Sequence, residues 1–191
     1  DPKLWLTQIQ GPKSMDLLSD VISGEFPVSW RYFELCEVNI AGEKVIITRT
    51  GFSNELGWEI YLSPQNDVEK IGNAIWAAGQ KYGIILAGTP VFRARRIEAG
   101  LLSMADFVNC NPYEAGLAHF LNMDKTDFIG RNALQNVDKT SYTFGMRVRG
   151  GIAKHGKTLM SNGEVIGSVA SSTWSPFQEC GVAIVKLNNL E

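Results

Sequence analysis

Residues 49–61 decide how this chain folds, and they read R-T-G-F-S-N-E-L-G-W-E-I-Y. Gly, Ser and Asn dominate positions 51–57 and predict a loop, whereas the aromatic and β-branched residues at 58–62 predict a strand. Side chains alternate along a strand, so its apolar positions point one way while Glu59 and Tyr61 point the other. Because an unpaired buried carboxylate is costly, Glu59 must face either solvent or a hydrogen-bonding partner.

Two interpretations of Glu59 follow from this pattern. The functional one is a ligand site, in which the carboxylate binds the N–H groups of a heterocycle while Tyr61 and Phe52 supply stacking surface. The structural alternative is the exposed face of an edge strand. The residues alone leave both open.

The segments around this strand predict an α+β fold. A hairpin is expected from strands at 33–40 and 44–50. Helix starts are predicted near Ser14, Ser63, Thr89, Pro112 and Thr126.

The residue pattern changes near residue 141, where short strand-like runs replace the mixed pattern before it. Short alternating runs at 144–148, 164–170 and 182–187, separated by Gly and Asn-Gly turns, predict a small antiparallel β-barrel. We therefore expect two domains, 1–140 and 141–191.

Composition excludes several classes of protein. The 191 residues are 45% hydrophobic and 20% charged, which argues against a disordered chain, a collagen or a coiled coil. The formal net charge of −2 gives no reason to expect a nucleic-acid partner. No apolar run approaches the 18 residues or so of a membrane span, so no membrane partner is expected.

Cysteine and histidine give no metal or disulfide signal. Cys36, Cys110 and Cys180 are odd in number and widely spaced, which favours a reducing, cytoplasmic location. His119 and His155 have no neighbours at metal-ligand spacing, so no metal is expected.

A formal phosphate-loop motif, G-x-x-x-x-G-K-T, occurs at 151–158. Phosphate binding by this motif needs a helix after it, because the helix N-terminus supplies the N–H donors. Here the Asn162–Gly163 turn and a strand-like run follow instead. The segment is predicted to be an ordinary loop.

Three arginines lie close together in R-A-R-R-I-E-A-G at 93–100. A solvated helix face ending at Gly100 is the structural interpretation, since charge runs usually face water. The functional one is an anchor for an anionic ligand, with Arg96 as a bidentate donor to a carboxylate.

Six collinear segments together resemble the glycine-cleavage T-protein (aminomethyltransferase) superfamily over nearly the whole chain. They match its I-Q-G-P-x-S, R-T-G-Y-T-G-E-x-G-x-E-I, R-L-E-A-G-L, P-x-E-A-G-L, D-F-I-G-R-x-A-L and C-terminal barrel motifs. In this sequence the segments are 9–14, 49–60, 96–101, 111–117, 127–134 and 175–176.

This resemblance implies a tetrahydrofolate-dependent one-carbon transferase. Glu59 would hydrogen-bond the pterin ring, Arg96 would meet the folate glutamate or the wall facing it, and Tyr61 and Phe52 would line the site. The implied partners are a small-molecule one-carbon donor and a carrier protein. Residues 1–140 would be a partial folate-binding domain and 141–191 the barrel, each lacking its outer end.

The departures from the family pattern leave the donor and the catalytic residue unassigned. Phe52 replaces the usual Tyr, and the segment with the family's catalytic aspartate is expected upstream of residue 9, so this chain alone is expected to be inactive. Features near Tyr61 and at 96–103 lean toward dimethylsulfoniopropionate demethylases, and 55–59 toward the folate domains of sarcosine and dimethylglycine dehydrogenases. A folate-binding module without transfer activity is a further alternative, although Cys180 lacks the basic neighbours of that group's motif.

Overall fold

The structure is a computed structural model that describes residues 3–24 and 30–188. The chain divides into two compact units, Asp1–Gly88 and Thr89–Glu191. The domain boundary predicted between residues 140 and 141 falls within the second unit and stays a prediction.

In residues 3–24 and 30–88, the first unit is a five-stranded antiparallel sheet with two α-helices. Its elements are β1 (Trp5–Gln10), α1 (Ser14–Val21), β2 (Ile22–Ser23), β3 (Leu35–Ile40), β4 (Glu43–Thr48), β5 (Gly57–Leu62) and α2 (Val68–Gly79), followed by a 3-10 turn at Gln80–Tyr82. The strands lie in the order β1-β5-β4-β3-β2, so β5 is an inner strand with a neighbour on each side.

The core of this unit lies between one face of the sheet and the two helices. Leu17 and Leu18 of α1 and Ile71 and Ile75 of α2 pack in one cluster with the buried strand residues. Helix α2 begins where the Asp67 side chain accepts a hydrogen bond from the Lys70 backbone N–H at 3.0 Å. The four apolar side chains of the helices therefore set which face of the sheet is left open.

The predicted hairpin is confirmed as β3 and β4. Their strands are joined through Ala41 and Gly42, which both have positive φ angles, 53° and 81°. Two consecutive positive φ values fit a hairpin turn whose twist matches the flanking strands. The strand predicted at 58–62 is also confirmed, one residue longer at its start.

Over its described residues, 89–188, the second unit contains three short α-helices and a four-stranded antiparallel sheet. The elements are α3 (Thr89–Glu98), α4 (Met104–Phe107), α5 (Arg131–Gln135), β6 (Tyr142–Val148), β7 (Thr158–Ser161), β8 (Glu164–Ser175) and β9 (Cys180–Leu187), with a 3-10 turn at Ala118–Phe120. The sheet order is β6-β9-β8-β7. This antiparallel sheet covers the segment in which the sequence predicts a small β-barrel. The predicted α+β class is confirmed.

Some local predictions were wrong. Residues 112–116 form turns and not a helix, and the helix expected near Thr126 begins only at Arg131. The segment at 151–157 is a loop that leads into β7 and not into a helix, as predicted, so no helix N-terminus follows the motif. No helix in residues 3–24 and 30–188 is long and apolar enough to span a membrane.

Candidate functional site

The candidate site lies on the open face of the first unit's sheet, where Glu59 stands on β5. Trp58, Ile60 and Leu62 are buried against the helices, whereas Glu59 and Tyr61 are only half-buried. This confirms the alternation predicted from the sequence. The edge-strand alternative for Glu59 is wrong, because β5 pairs with β1 on one side and β4 on the other.

Both oxygens of the Glu59 carboxylate accept a hydrogen bond from the protein. Gln8, directly opposite on β1, donates from Nε2 to Oε1 at 3.2 Å. Thr50 donates from its hydroxyl to Oε2 at 2.5 Å, and the Thr50 oxygen lies 2.5 Å from that of Thr48 on β4. The carboxylate is therefore held in one orientation while a lone-pair position on each oxygen remains for a ligand.

The loop that carries Thr50 is fixed by Gln10 at the end of β1. The Gln10 Oε1 accepts a hydrogen bond from the buried Ser53 hydroxyl at 2.6 Å, and its Nε2 approaches the Thr50 carbonyl oxygen at 3.4 Å. A Cβ at Gly51 or Gly57 would overlap the Gln10 side chain, so glycine at both positions lets this amide lie across the loop. The two glycines of the R-T-G…G-W-E pattern are thus explained by close packing against the Gln10 side chain.

A cavity of about 410 Å³ opens on the same face of the sheet. Its lining includes Tyr61 and Thr48, and the Thr48 hydroxyl contacts that of Thr50, which donates to the Glu59 carboxylate. Leu4, Leu35 and Ile46 give it apolar walls. An apolar cavity bordered by a few oriented polar groups is the usual form of a small-molecule site.

The other aromatic residue predicted for this site is placed differently. Phe52 lies in the loop between β4 and β5 and is 38% exposed. It shares the first unit with Glu59 and Tyr61, but within the described residues it makes no ring contact with Tyr61. The stacking role of Phe52 stays a prediction.

Arg96, on α3 of the second unit, is buried in a polar network. It is 7% exposed, which makes the solvated-face interpretation wrong for this arginine. Its Nη1 donates to Asp106 at 2.6 Å and to the Leu101 carbonyl at 3.1 Å, and its Nη2 donates to Ser171 at 3.0 Å. These bonds join α3, α4 and β8, and a direct contact of Arg96 with a ligand stays a prediction.

Asp106, the partner of Arg96, is 1% exposed and accepts four hydrogen bonds. Burial alone would raise its pKa, but hydrogen bonds from Ser171 and Ser103 and the charge of Arg96 outweigh that effect and lower the pKa. Ser103 donates to Asp106 from both its N–H and its hydroxyl, and the N–H bond is one half of a capping box at the start of α4. Both charged side chains, Arg96 and Asp106, thus have hydrogen-bond partners within the second unit.

The sequence did not identify Gln8 or Thr50 as partners of Glu59. Thr50 lies within the T-G motif, but Gln8 is 51 residues away and becomes a neighbour only through β1–β5 pairing. In β1, W-L-T-Q-I-Q, the two glutamines Gln8 and Gln10 are two residues apart and so share one face of the strand, which was the available signal. In the part of the chain that is described, no group of three or more His, Cys, Asp or Glu could hold a metal.

Comparisons with known proteins agree with this fold. The family model described as "GCVT N-terminal domain" matches residues 2–125, well over half of the chain. "Aminomethyltransferase" of Halothermothrix orenii is 34% identical over 94% of this chain and 51% of its own length. "Probable aminomethyltransferase" of Thermococcus gammatolerans is 33% identical over 92% and 51%.

A solved structure shows the same fold. It is described as "Crystal structure of glycine cleavage system aminomethyltransferase T from Bartonella henselae" and matches with a TM-score of 0.77 at 24% identity, covering 97% of this chain and 52% of that one. The chain thus spans about half the length of the relatives it matches.

The two antiparallel sheets, the first of them packed against two helices, define an α+β protein. The chain belongs to the GCVT family, the glycine-cleavage T-protein superfamily.

Proposed function

We propose that this chain is the folate-binding part of a tetrahydrofolate-dependent aminomethyltransferase. The observation that carries the proposal is the Glu59 carboxylate, whose two oxygens are oriented by Gln8 and Thr50 beside a cavity. A pterin presents adjacent N–H donors on a flat ring, which suit the two remaining acceptor positions and the Tyr61 surface. The names of the matched relatives support the aminomethyl branch.

The proposed reaction moves a one-carbon unit between a donor and a nitrogen on the pterin side of the folate. In such a transfer, this chain's contribution is to bind the folate and orient it, and such positioning accounts for much of the rate of a two-substrate reaction. The partners we propose are a small one-carbon donor and the carrier protein that presents it. We assign no catalytic group, and the cytoplasmic location stays a prediction from the cysteines, which are free in the structure.

The proposed order of roles ranks Glu59 first, Tyr61 second, and Phe52 and Arg96 after them. Glu59 and Tyr61 share the open face of β5. Arg96 has its guanidinium committed to Asp106 and Ser171, so any effect of Arg96 on folate binding would include a loss of local structure. No observation favours the demethylase alternative.

The test is a calorimetric titration of the chain with tetrahydrofolate under anaerobic reductant. Glu59→Gln should weaken binding about 10- to 100-fold, since a hydrogen bond to a charged group is worth roughly 1.5–3 kcal/mol. Glu69→Gln, at an exposed position of α2, is the matched control and should bind as the wild type does. Equal affinity of Glu59→Gln and the wild type would remove Glu59 from the site, and no binding at all would overturn the proposal.

A further inference from the structure

The groups around Glu59 form a hydrogen-bonded chain with a single direction. An ionised carboxylate can only accept hydrogen bonds, so Thr50 must donate its one hydroxyl hydrogen to Glu59. Thr50 can then only accept from Thr48, which fixes Thr48 as the donor in the 2.5 Å contact. The order of donation is therefore Thr48 to Thr50 to Glu59.

The Gln8 amide is turned to serve the same carboxylate. Its Nε2 donates to Glu59, while its buried Oε1 has no hydrogen-bond partner among the described residues. A buried acceptor without a partner is costly, and turning the amide over would set its oxygen against a carboxylate oxygen. The donation to Glu59 is thus what fixes Gln8.

Without such partners, the Glu59 carboxylate would not keep one orientation. The last torsion of a glutamate side chain is broad and roughly two-fold, so the plane of the carboxylate turns easily. A hydrogen bond to each oxygen, from β1 on one side and from the loop after β4 on the other, removes that freedom. Because the carboxylate is already ordered in the folded protein, ligand binding does not have to bear the entropic cost of ordering it.

We infer that Gln8, Thr48 and Thr50 are positioning residues that preset the Glu59 carboxylate for a ligand with two adjacent N–H donors. This inference rests on the proposed function, because the ligand used to test it is tetrahydrofolate. The three residues act on affinity through Glu59, and they need no contact of their own with the ligand.

Thr50→Val removes the hydroxyl at nearly constant shape and should weaken tetrahydrofolate binding roughly three- to tenfold. Thr50→Ser restores the donor and should return affinity to within about twofold of the wild type. Gln8→Leu tests the other oxygen independently, with the same expected loss, should Thr50→Val fold poorly. Thr7→Val is the matched control, because Thr7 lies in the same sheet with its side chain on the opposite face.

A double-mutant cycle separates positioning from a general structural effect. In the Glu59→Gln background, Thr50→Val should change affinity by less than about twofold, since its target is gone. Equal losses in both backgrounds, or no loss in the wild-type background while Glu59→Gln still binds weakly, would overturn the positioning role and leave the proposed function standing. An unchanged affinity in Glu59→Gln would remove Glu59 from the site and overturn the positioning role with it, whereas no binding by the wild-type chain would overturn the proposed function.

Discussion

At the scale of single residues, Arg96 and Asp106 form a buried ion pair in the second unit. Asp106 is 1% exposed and Arg96 7%. Removing one partner of a buried pair leaves the other charge without compensation, which typically costs several kcal/mol. The pair is therefore a strong test of how α3, α4 and β8 are held together.

Asp106→Asn should lower the free energy of unfolding by roughly 3–5 kcal/mol at pH 7. The same substitution should also make the free energy of unfolding depend less steeply on pH in the acidic range. Because the pKa of Asp106 is lowered in the folded state, the unfolded chain takes up a proton first as the pH falls below about 4. The stabilisation by Asp106 is thus complete above that range and is lost as the pH falls through the folded-state pKa.

Urea unfolding at pH 7 and at two or three points between about pH 5 and 3 measures both effects. Asp124→Asn, at an exposed position of the same unit, serves as the control. An Asp106→Asn chain with the wild-type acid dependence would contradict this account of the pair.

At the scale of elements, the β8–β9 region depends on glycine where backbones approach closely. A Cβ at Gly181 on β9 would overlap the carbonyl oxygen of Gly151, and a Cβ at Gly167 on β8 would overlap that of Lys186. A backbone atom cannot move aside as the end of a long side chain can. These two glycines therefore permit the strand spacing and the crossing of the 149–157 loop.

Gly181→Ala should destabilise the chain by about 1–3 kcal/mol or more through this overlap. Gly145→Ala in β6 of the same sheet is the matched control, because a Cβ there meets nothing within 4 Å. It should change stability by no more than about 0.5 kcal/mol. Equal urea midpoints for the two variants would show that the close approach at Gly181 carries no energetic weight.

At the scale of the whole molecule, the two units are joined through an exposed segment. Residues 85–90 are all exposed, with Ile85 at 80% and Leu86 at 87%, and residues 84–88 belong to no helix or strand. Each unit has its own buried clusters. Exposed connecting segments of this kind are where proteases cut first.

Limited digestion with chymotrypsin should cut after Leu86 well before it cuts after Leu62 or Trp58, which lie buried in β5. Mass spectrometry of early time points identifies the pieces. Leu86→Asn should remove this cut and leave the other early fragments unchanged. Fragments that end at Leu62 before any that end at Leu86 would contradict the exposed connection.

Local pattern was enough to predict most elements of the first unit. Alternation predicted β5 and its two faces, and glycine with β-branched neighbours predicted the β3–β4 hairpin. Strand β1 was missed because its glutamines stand where a core strand would carry apolar residues. Those glutamines face Glu59 and the loop, so the missed strand is the one that supports the site.

The candidate site was predicted only as far as single segments allow. Glu59 was singled out because a carboxylate in an apolar strand demands an explanation, and the structure supplies Gln8 and Thr50. Arg96 was expected to face water or a ligand, yet its partner Ser171 lies 75 residues along the chain. Pairings across such separations depend on tertiary structure, which a run of charges does not reveal.

The pairing register of the inner strands decides which side chains lie beside Glu59, so it limits which insertions and deletions the site tolerates. Gln8, Glu59 and Thr48 stand in one row across β1, β5 and β4. Deleting one residue within β1 would shift every later side chain to the opposite face and place Ile9 beside the carboxylate. A change of length in a loop leaves this register intact, whereas a deletion in β1 before Gln8 keeps a side chain of the same face beside Glu59 only when it removes an even number of residues.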